Sequence, residues 1–148
     1  MSTAPRFLRA LPPDYRNRLM ELAAEVSFPQ DARIFDEGAR AEGFWVIRSG
    51  AVTLDLTLLN GRRATVATLG PGDLLGWSWL FPPYEWDFGA EALSPVRAYA
   101  FDGMDVRRLC DRDTALGVVL MRTFAEILAH RLQGARARLL DLSPYSAI

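Results

Sequence analysis

The segment GPGDLLGWSWLFPPYEWD, residues 70–87, carries the strongest structural signal in this chain. It opens on Gly70-Pro71-Gly72-Asp73, a combination typical of a tight turn, and a further glycine follows at Gly76. Six aromatic residues then crowd together: Trp77, Trp79, Phe81, Tyr84, Trp86 and Phe88. Downstream, Val96–Phe101 is predicted to be a strand. We interpret the region as a turn and an aromatic-rich connection leading into that strand.

Short strands are predicted upstream of this segment. Val52, Leu54, Leu56 and Leu58 alternate with polar residues, the period of a half-buried strand. Asn60-Gly61 follows, which is a strong hairpin signal. The other predicted strands are Ala32–Phe35, Gly43–Arg48 and Arg63–Leu69. Short strands separated by glycine turns at close spacing indicate a β-sandwich or barrel.

Helices are predicted at both ends. Pro12-Pro13-Asp14 suits a first turn, and apolar residues at helical spacing extend this helix from Leu11 to Val26. After the strands, Asp102 is placed to cap a short helix that runs through Cys110. Asp113 is placed to cap a long helix, residues 113–141 with the cap.

The long helix carries two apolar stripes. One consists of Leu116, Leu120, Phe124 and Ile127, and the other of Met121, Ala125, Leu128 and Leu132. Two stripes need two partner surfaces. We predict that one is the helix's own barrel and the other a second copy of the chain, because two-fold homodimers are the commonest assembly. The candidate dimer residues are Leu116, Leu120, Phe124, Ile127 and Leu128. The alternative is a helix buried twice within its own domain.

The order of these elements resembles the cyclic nucleotide-binding domain of the catabolite activator and FNR-type (Crp/Fnr) regulators. The resemblance covers about residues 11–140 and rests on Phe35–Gly38, Phe44–Gly50 and Leu69–Asp73 at matching positions. It implies a mainly β fold with flanking helices: an eight-stranded jelly roll (double-stranded β-helix), an N-terminal helix and a long C-terminal helix. It also implies that the aromatic segment is the phosphate-binding cassette, and that the cassette's partners include a nucleotide.

The cassette departs from the family pattern at the charged positions. In the family, a glycine is followed by a glutamate that binds the ribose, and an arginine ten residues after the glycine pairs with the phosphate. Here Gly76 matches the glycine, Trp77 stands at the glutamate position, and Trp86 stands at the arginine position with Asp87 after it. A buried anion needs an opposite charge or several donors, whereas an indole offers one N–H. The residues therefore argue against the ligand that the family implies.

Three interpretations of the cassette remain open. The aromatic residues could line a pocket for a flat or apolar ligand between the cassette, the strand 64–69 and the start of the long helix. Trp77 or Trp86 could instead fold inward and fill the pocket. The loop could also be a protein-contact surface. The candidate site residues are Gly76, Trp77, Ser78, Trp79, Tyr84, Trp86 and Asp87; alternation in an extended segment would place Trp77 and Trp79 on one side and Ser78 on the other.

The remaining features exclude several classes. Net charge is −1, so binding to DNA is not expected, and we attribute Arg122, Arg131, Arg136 and Arg138 to the helix dipole. His130 and Cys110 lack companions, so no metal or cofactor is predicted. No nucleophile–base pair or P-loop is present, which argues against an enzyme. The lone cysteine, the lack of a signal peptide and the lack of a membrane-spanning run predict a cytoplasmic protein.

We therefore predict one domain, residues 11–141, with tails at 1–10 and 142–148. The expected function is a non-catalytic regulatory or sensor module that forms a homodimer and acts through a separate effector protein, since the helix-turn-helix domain of the family is not expected in the residues that follow the long helix. The alternative is a genuine sensor of cAMP, cGMP or a cyclic dinucleotide, or a Crp/Fnr-type transcription regulator.

Overall fold

The computed structural model describes residues 6–142 and arranges them as two antiparallel four-stranded sheets with helices at one side. The elements in chain order are α1 (Pro13–Met20), β1 (Ala24–Phe28), β2 (Arg33–Phe35), β3 (Gly43–Ser49), β4 (Val52–Thr57), β5 (Arg63–Leu69), β6 (Leu74–Leu75), a short 3₁₀ helix (Ser78–Leu80), β7 (Gly89–Ala92), β8 (Val96–Asp102), α2 (Gly103–Arg112) and α3 (Thr114–Leu142). The mainly β jelly roll with an N-terminal helix and a long C-terminal helix is confirmed.

The two sheets face each other across an aliphatic core. One sheet has the order β1-β8-β3-β6 and the other β2-β7-β4-β5. The core between them consists of Ile47, Val52, Leu54, Leu69, Leu75, Ala90, Ala92, Val96 and Ala98. The predicted hairpin is confirmed: β4 pairs with β5, and Gly61 adopts φ +82° in the connecting turn, a left-handed conformation that glycine tolerates.

Strand β3 is buried on both faces. Ile47 faces the core between the sheets, whereas Phe44 and Val46 belong to a second core shared with the helices. Phe44 stacks on Phe101 with ring centroids 4.7 Å apart and meets Phe124 of α3 edge to face at 5.2 Å. The aromatic rings therefore attach α3 to the outer face of the β1-β8-β3-β6 sheet.

The first predicted helix was too long. It ends at Met20, and residues 24–28 form β1 instead, with Val26 opposite Ala98 of β8. The apolar residues at 22, 23 and 26 fit helical spacing, but residues 24–28 pair with β8 and form the edge strand of the sheet, which local spacing does not reveal.

The predicted N-terminal boundary of the domain, residue 11, lies too far along the chain. Phe7 is fully buried in the helix-side core and meets Phe44 and Phe124 edge to face. The domain therefore begins before residue 11. Residues 1–5 of the predicted N-terminal tail, and residues 143–148 of the predicted C-terminal tail, lie outside the described part of the chain.

The two C-terminal helices begin at their predicted caps. The Asp102 carboxylate accepts from the backbone N–H of Asp105 at 3.1 Å, and the Asp113 carboxylate accepts from that of Leu116 at 3.1 Å. Asp113 also forms an ion pair with Arg18 of α1. These carboxylates satisfy free N–H groups at the positive helix ends, so both helix starts are fixed by local sequence.

Four of the five predicted dimer residues are buried within their own domain, and one is partly exposed. Leu116, Leu120, Phe124 and Ile127 are at most 2% exposed and belong to the core of their own domain. The fifth residue, Leu128, is partly exposed to solvent. The four side chains are buried within their own domain, so they do not form the exposed surface that the predicted dimer interface requires.

A part-buried ion pair joins β2 to β4. The guanidinium of Arg33 donates to both carboxylate oxygens of Asp55, at 2.6 and 3.2 Å. The Asp55 side chain is 8% exposed, and hydrogen bonding to it raises the pKa of Arg33. Gly89 lies directly against the pair, where a Cβ atom would fall 2.2 Å from a guanidinium nitrogen. The pair thus sets how closely β7 approaches β2 and β4.

Within residues 6–142, no helix is long and apolar enough to span a membrane. The same residues contain no group of three histidine, cysteine or carboxylate side chains that could hold a metal ion.

Candidate functional site

The cassette begins at Gly76, whose backbone conformation excludes other residues. Gly76 has φ +98°, and a Cβ atom there would lie 2.8 Å from the ring of Trp86. Both facts follow from one arrangement: the chain turns sharply after β6 and the Trp86 indole lies against the turn. Glycine is therefore required by the turn and by the ring together.

Trp86 is buried and occupies the interior of the cassette. Its ring stacks on Phe35 of β2 with centroids 3.9 Å apart and an interplanar angle of 13°, and Trp45 of β3 lies 5.9 Å away. Its backbone N–H donates to the carbonyl of Ala39 at 2.8 Å. Aromatic contacts therefore hold the indole ring of Trp86, and a hydrogen bond holds its backbone.

Little space remains beside the Trp86 ring. The void lined by the cassette has a volume of about 10 Å³, which is room for about one water molecule. Its lining is Phe35, Leu54, Gly76, Trp77, Ser78, Trp86, Asp87 and Phe88. Asp87 is the one charged side chain in that set. This void thus offers neither room nor positive charge to an anion.

The predicted site residues divide into two groups. Gly76, Trp77, Ser78, Trp86 and Asp87 do come together around this void. The Ser78 hydroxyl accepts from the backbone N–H of Asp87 at 3.4 Å, which joins the two ends of the cassette.

Trp79 and Tyr84 lie elsewhere. Trp79 is 1% exposed in the helix-side core, where it stacks on Phe44 at 5.3 Å. Tyr84 is exposed and lies beneath the guanidinium of Arg107 of α2, 5.0 Å from ring centroid to Cζ. The expected alternation of Trp77 and Trp79 against Ser78 is wrong because residues 78–80 form a 3₁₀ helix rather than an extended segment, and Ser78 is buried as well.

A larger cavity lies on the other side of Trp77. It has a volume of about 450 Å³ and runs between β5 and the C-terminal half of α3, from His130 to Arg138. The ligand region was predicted at the start of the long helix, whereas this cavity meets α3 about four helical turns further along. Trp77 and Phe88 meet edge to face at 5.6 Å and line both this cavity and the small void. This aromatic pair is therefore the wall between the two spaces.

Arg131 is the functional candidate that sequence reasoning assigned to the helix dipole. Its guanidinium lies 5.5 Å from the Trp77 ring centroid and donates to the carbonyl of Leu74. Nη1 is enclosed and has no hydrogen-bond acceptor. Burial lowers the pKa of Arg131 to about 10, although the nearby charge of Asp73 acts in the opposite direction. The sequence held a signal for this position, since Arg131 follows Ile127 by four residues and continues the buried stripe of α3.

The environment of Cys110 predicts that its thiol reacts slowly at neutral to mildly alkaline pH. The thiol is partly buried, and burial, followed by the negative charge of Asp111, raises its pKa above the ordinary value. Because the thiolate is the reactive form, we expect Cys110 to react with Ellman's reagent at pH 8 several-fold more slowly than glutathione, and to react faster as pH rises further. Urea should remove the difference. Reaction of the folded protein as fast as that of glutathione would contradict this environment.

Comparisons with known proteins agree with this architecture. The family model of the cyclic nucleotide-binding domain matches residues 25–113, more than half of the chain. The chain is 28% identical over 117 residues to the CRP-like cAMP-activated global transcriptional regulator of Mycobacterium tuberculosis, which covers 79% of this chain and 50% of that protein. It is 32% identical over 108 residues to the cyclic AMP receptor protein of Thermus thermophilus. This match covers 73% of this chain and 48% of that protein.

Solved structures give the same result. The N-terminal domain of a transcriptional regulator from Streptomyces coelicolor superposes with a TM-score of 0.73 at 25% identity, covering 88% of this chain and 90% of that one. The chain spans about half the length of the curated relatives it matches. With the jelly roll, the glycine turn and the matched segment in agreement, the chain belongs to the cyclic nucleotide-binding domain family.

Proposed function

We propose that this chain is a non-catalytic regulatory sensor domain whose cassette does not bind a cyclic nucleotide in the manner of its family. The observation that carries the proposal is the Trp86 ring, which is stacked on Phe35 inside the cassette and leaves a void of about 10 Å³. A purine nucleotide cannot enter this space unless the indole leaves it.

Electrostatics supports the same conclusion. A phosphate removed from water needs a positive partner or several hydrogen-bond donors. Of the cassette residues that line the void, Asp87 carries a negative charge and none carries a positive one.

We further propose that the domain is a homodimer joined by α3. Seven apolar or small residues follow one another at spacings of three and four: Val118, Met121, Ala125, Leu128, Leu132, Ala135 and Leu139. This is the seam pattern of a coiled coil. Val118, Leu132 and Leu139 are 56%, 71% and 69% exposed in the single chain. A second copy of the same helix would cover the seam, while the opposite stripe stays in the domain core.

A regulatory domain also needs an output, and we propose a separate effector protein that contacts the cassette loop. Phe81 is 54% exposed at the surface of that loop, and Tyr84 is held outward beneath Arg107. Exposed aromatic residues of this kind are common at the centre of protein interfaces. The loop is joined to the void through Trp86, so a change at the void would alter the contact surface.

The proposed function is tested by restoring the missing charge. We expect Trp86→Arg to bind cyclic AMP at least about tenfold more tightly than the wild type, because it supplies a bidentate cation where a ring now stands. Ligand at about a hundred times its dissociation constant would stabilise the variant by roughly 2.7 kcal/mol in a thermal melt.

Trp86→Gln is the matched control, since it removes the ring without adding charge and should bind no better than the wild type. Wild-type protein that binds cyclic AMP as tightly as Trp86→Arg would contradict the proposal. A Trp86→Arg variant that folds but gains no affinity would contradict the alignment of the cassette.

The names of the relatives favour a second candidate, a cAMP-activated transcription regulator. This candidate predicts a stability increase of the wild type with a cyclic nucleotide and DNA binding that weakens steeply with salt.

A further inference from the structure

We propose that the groove between the N-terminal segment, Arg6–Arg9, and the outer face of β3 and β8 binds a phosphate monoester, a small organic molecule whose phosphate carries close to two negative charges. The groove has a volume of about 400 Å³. It shares no lining residue with the cassette void or with the cavity beside α3. The groove is therefore a separate site from the cassette on which the proposed function rests.

The groove concentrates positive charge. Arg6, Arg9 and Arg48 line it, and its other lining residues are uncharged: Leu8, Val46, Ile47, Pro71, Gly72 and Tyr99. The chain as a whole has a net charge of −1, so this local excess is not a consequence of composition. A cleft lined by one sign of charge raises the local concentration of ions of the opposite sign. The three guanidinium groups therefore favour an anion with more than one charge.

Arg9 has a free guanidinium in a segment whose backbone is fixed. Phe7 is fully buried in the helix-side core, and Leu8 packs against the same core. The backbone N–H of Ala10 donates to the carbonyl of Arg6 at 3.0 Å, and this turn brings Arg6 and Arg9 to one groove. Arg9 is exposed and, within residues 6–142, forms no hydrogen bond or ion pair through its side chain. All of its side-chain donors are available to a ligand.

Arg48 is held in place by its own chain. Its Cζ lies 4.7 Å from the ring centroid of Tyr99, and Nη1 donates to the carboxylate of Glu25 at 2.9 Å. The Arg48 side chain is 35% exposed. A guanidinium has five N–H donors in a planar fork that matches phosphate oxygens, so the pairing with one glutamate leaves donors for a phosphate.

Gly72 allows Arg6 to lie directly on the turn that borders the groove. Gly72 has φ +86°, and a Cβ atom there would fall 2.8 Å from Cδ of Arg6 and 2.9 Å from its Nη1. This turn is joined to β3, because the N–H of Gly72 donates to the carbonyl of Ile47 at 2.7 Å. The nearest carboxylate, Asp73, lies 3.9 Å from Arg6 and accepts from the N–H of Gly70 at 2.8 Å. Arg6 is thus positioned without being fully paired.

The size and the apolar part of the groove favour an organic phosphate over the bare ion. A volume of about 400 Å³ lies within the range of small-molecule sites, which combine apolar walls with a few polar groups. Leu8, Val46 and Pro71 supply such walls beside the three arginines. A small organic body therefore has a surface to contact while its phosphate meets the guanidinium groups.

The test is a calorimetric titration of the full chain with phenyl phosphate at low ionic strength, since salt screens exposed charges. Phenyl sulfate keeps the body with one negative charge, and inorganic phosphate keeps the charge without the body. We expect phenyl phosphate to bind one site per chain with a dissociation constant of about 1 mM or tighter, and both comparison ions to bind at least about fivefold more weakly. Absence of phenyl phosphate binding, or equal binding of either comparison ion, would overturn the inference. A short phosphoserine peptide that binds more tightly than phenyl phosphate would indicate a phosphorylated protein instead and would also overturn it.

Arg9→Gln and Arg48→Gln should each weaken phenyl phosphate at least about fivefold, because each removes charged donors from the groove. Arg9→Gln removes no contact of the folded chain and is expected to fold like the wild type. Arg40→Gln is the matched control, since Arg40 also pairs with a glutamate, Glu42 at 3.2 Å, but lines a different groove. It should bind phenyl phosphate like the wild type. Equal losses in all three variants, or no loss in Arg9→Gln and Arg48→Gln, would contradict the proposed site.

Backbone amide chemical shifts locate the site without any substitution. Phenyl phosphate should move the NMR signals of Arg9, Gly72 and Tyr99 and leave those of Trp77 and Asp87 unchanged. Shifts confined to the cassette residues would place the anion elsewhere and overturn the inference. The proposed function fails by a different result, namely cyclic AMP bound by the wild type as tightly as by Trp86→Arg, so the two failures are distinguishable.

Discussion

Replacing Trp86 with alanine is expected to lower the free energy of unfolding by about 3–5 kcal/mol, the range for removing a large aromatic side chain from a core. The ring is 6% exposed and contacts Phe35, Trp45 and the Gly76 turn. Its removal leaves a cavity that the neighbouring strands cannot close, because they are held in register by both sheets. Urea denaturation of the two proteins measures the difference.

The control for Trp86→Ala is Phe81→Ala in the same loop. Phe81 is 54% exposed, so its loss should cost less than about 1 kcal/mol. A Trp86→Ala variant as stable as Phe81→Ala would show that the indole does not fill the cassette. The cassette would then have room for an ordinary nucleotide, contrary to the proposed function.

Replacing Leu132 with glutamate is expected to weaken the proposed dimer by at least about a hundredfold, equivalent to about 2.7 kcal/mol. Leu132 is one of the seven α3 seam residues and is 71% exposed in the single chain. In a two-fold dimer the substitution buries two carboxylates that face each other. Analytical ultracentrifugation over a range of concentrations gives the dissociation constant, and circular dichroism verifies that the monomer remains folded.

The neighbouring Gln133→Glu adds the same charge outside the seam, where residue 133 is exposed. It should leave the dimer unchanged. Equal dissociation of both variants would indicate a general charge effect, and a wild type that is monomeric throughout the micromolar range would contradict the proposed assembly.

Features with a local cause were predictable from the sequence. The Asn60-Gly61 hairpin and the caps at Asp102 and Asp113 each depend on residues a few positions apart. The predicted alternation of β4 holds from Val52 to Leu54 and then fails, because a register shift follows Leu54, and Asp55 is buried while Leu58 is exposed. Strand β5 was predicted with its observed ends, Arg63–Leu69. Because the spacing between these elements matches the family, the fold class followed from them.

Short strands with distant partners were not predictable in this way. Residues 24–28 fit a helix as well as a strand until β8 is placed beside them, about 70 residues later in the chain. Strands β6 and β7 have two and four residues, too few to establish a period. Their backbone partners, and not their side-chain pattern, define them.

The sequence established, through residue identity alone, that the cassette lacks its arginine and its glutamate, because Trp86 and Trp77 stand there. It did not establish where the aromatic rings lie: Trp86 turned inward to fill the void, Trp79 joined the helix core, and Tyr84 turned outward. Nor did it place Arg131 beneath Trp77. Charge and ring size are properties of single residues, whereas burial depends on which elements meet, and here those elements lie tens of residues apart along the chain.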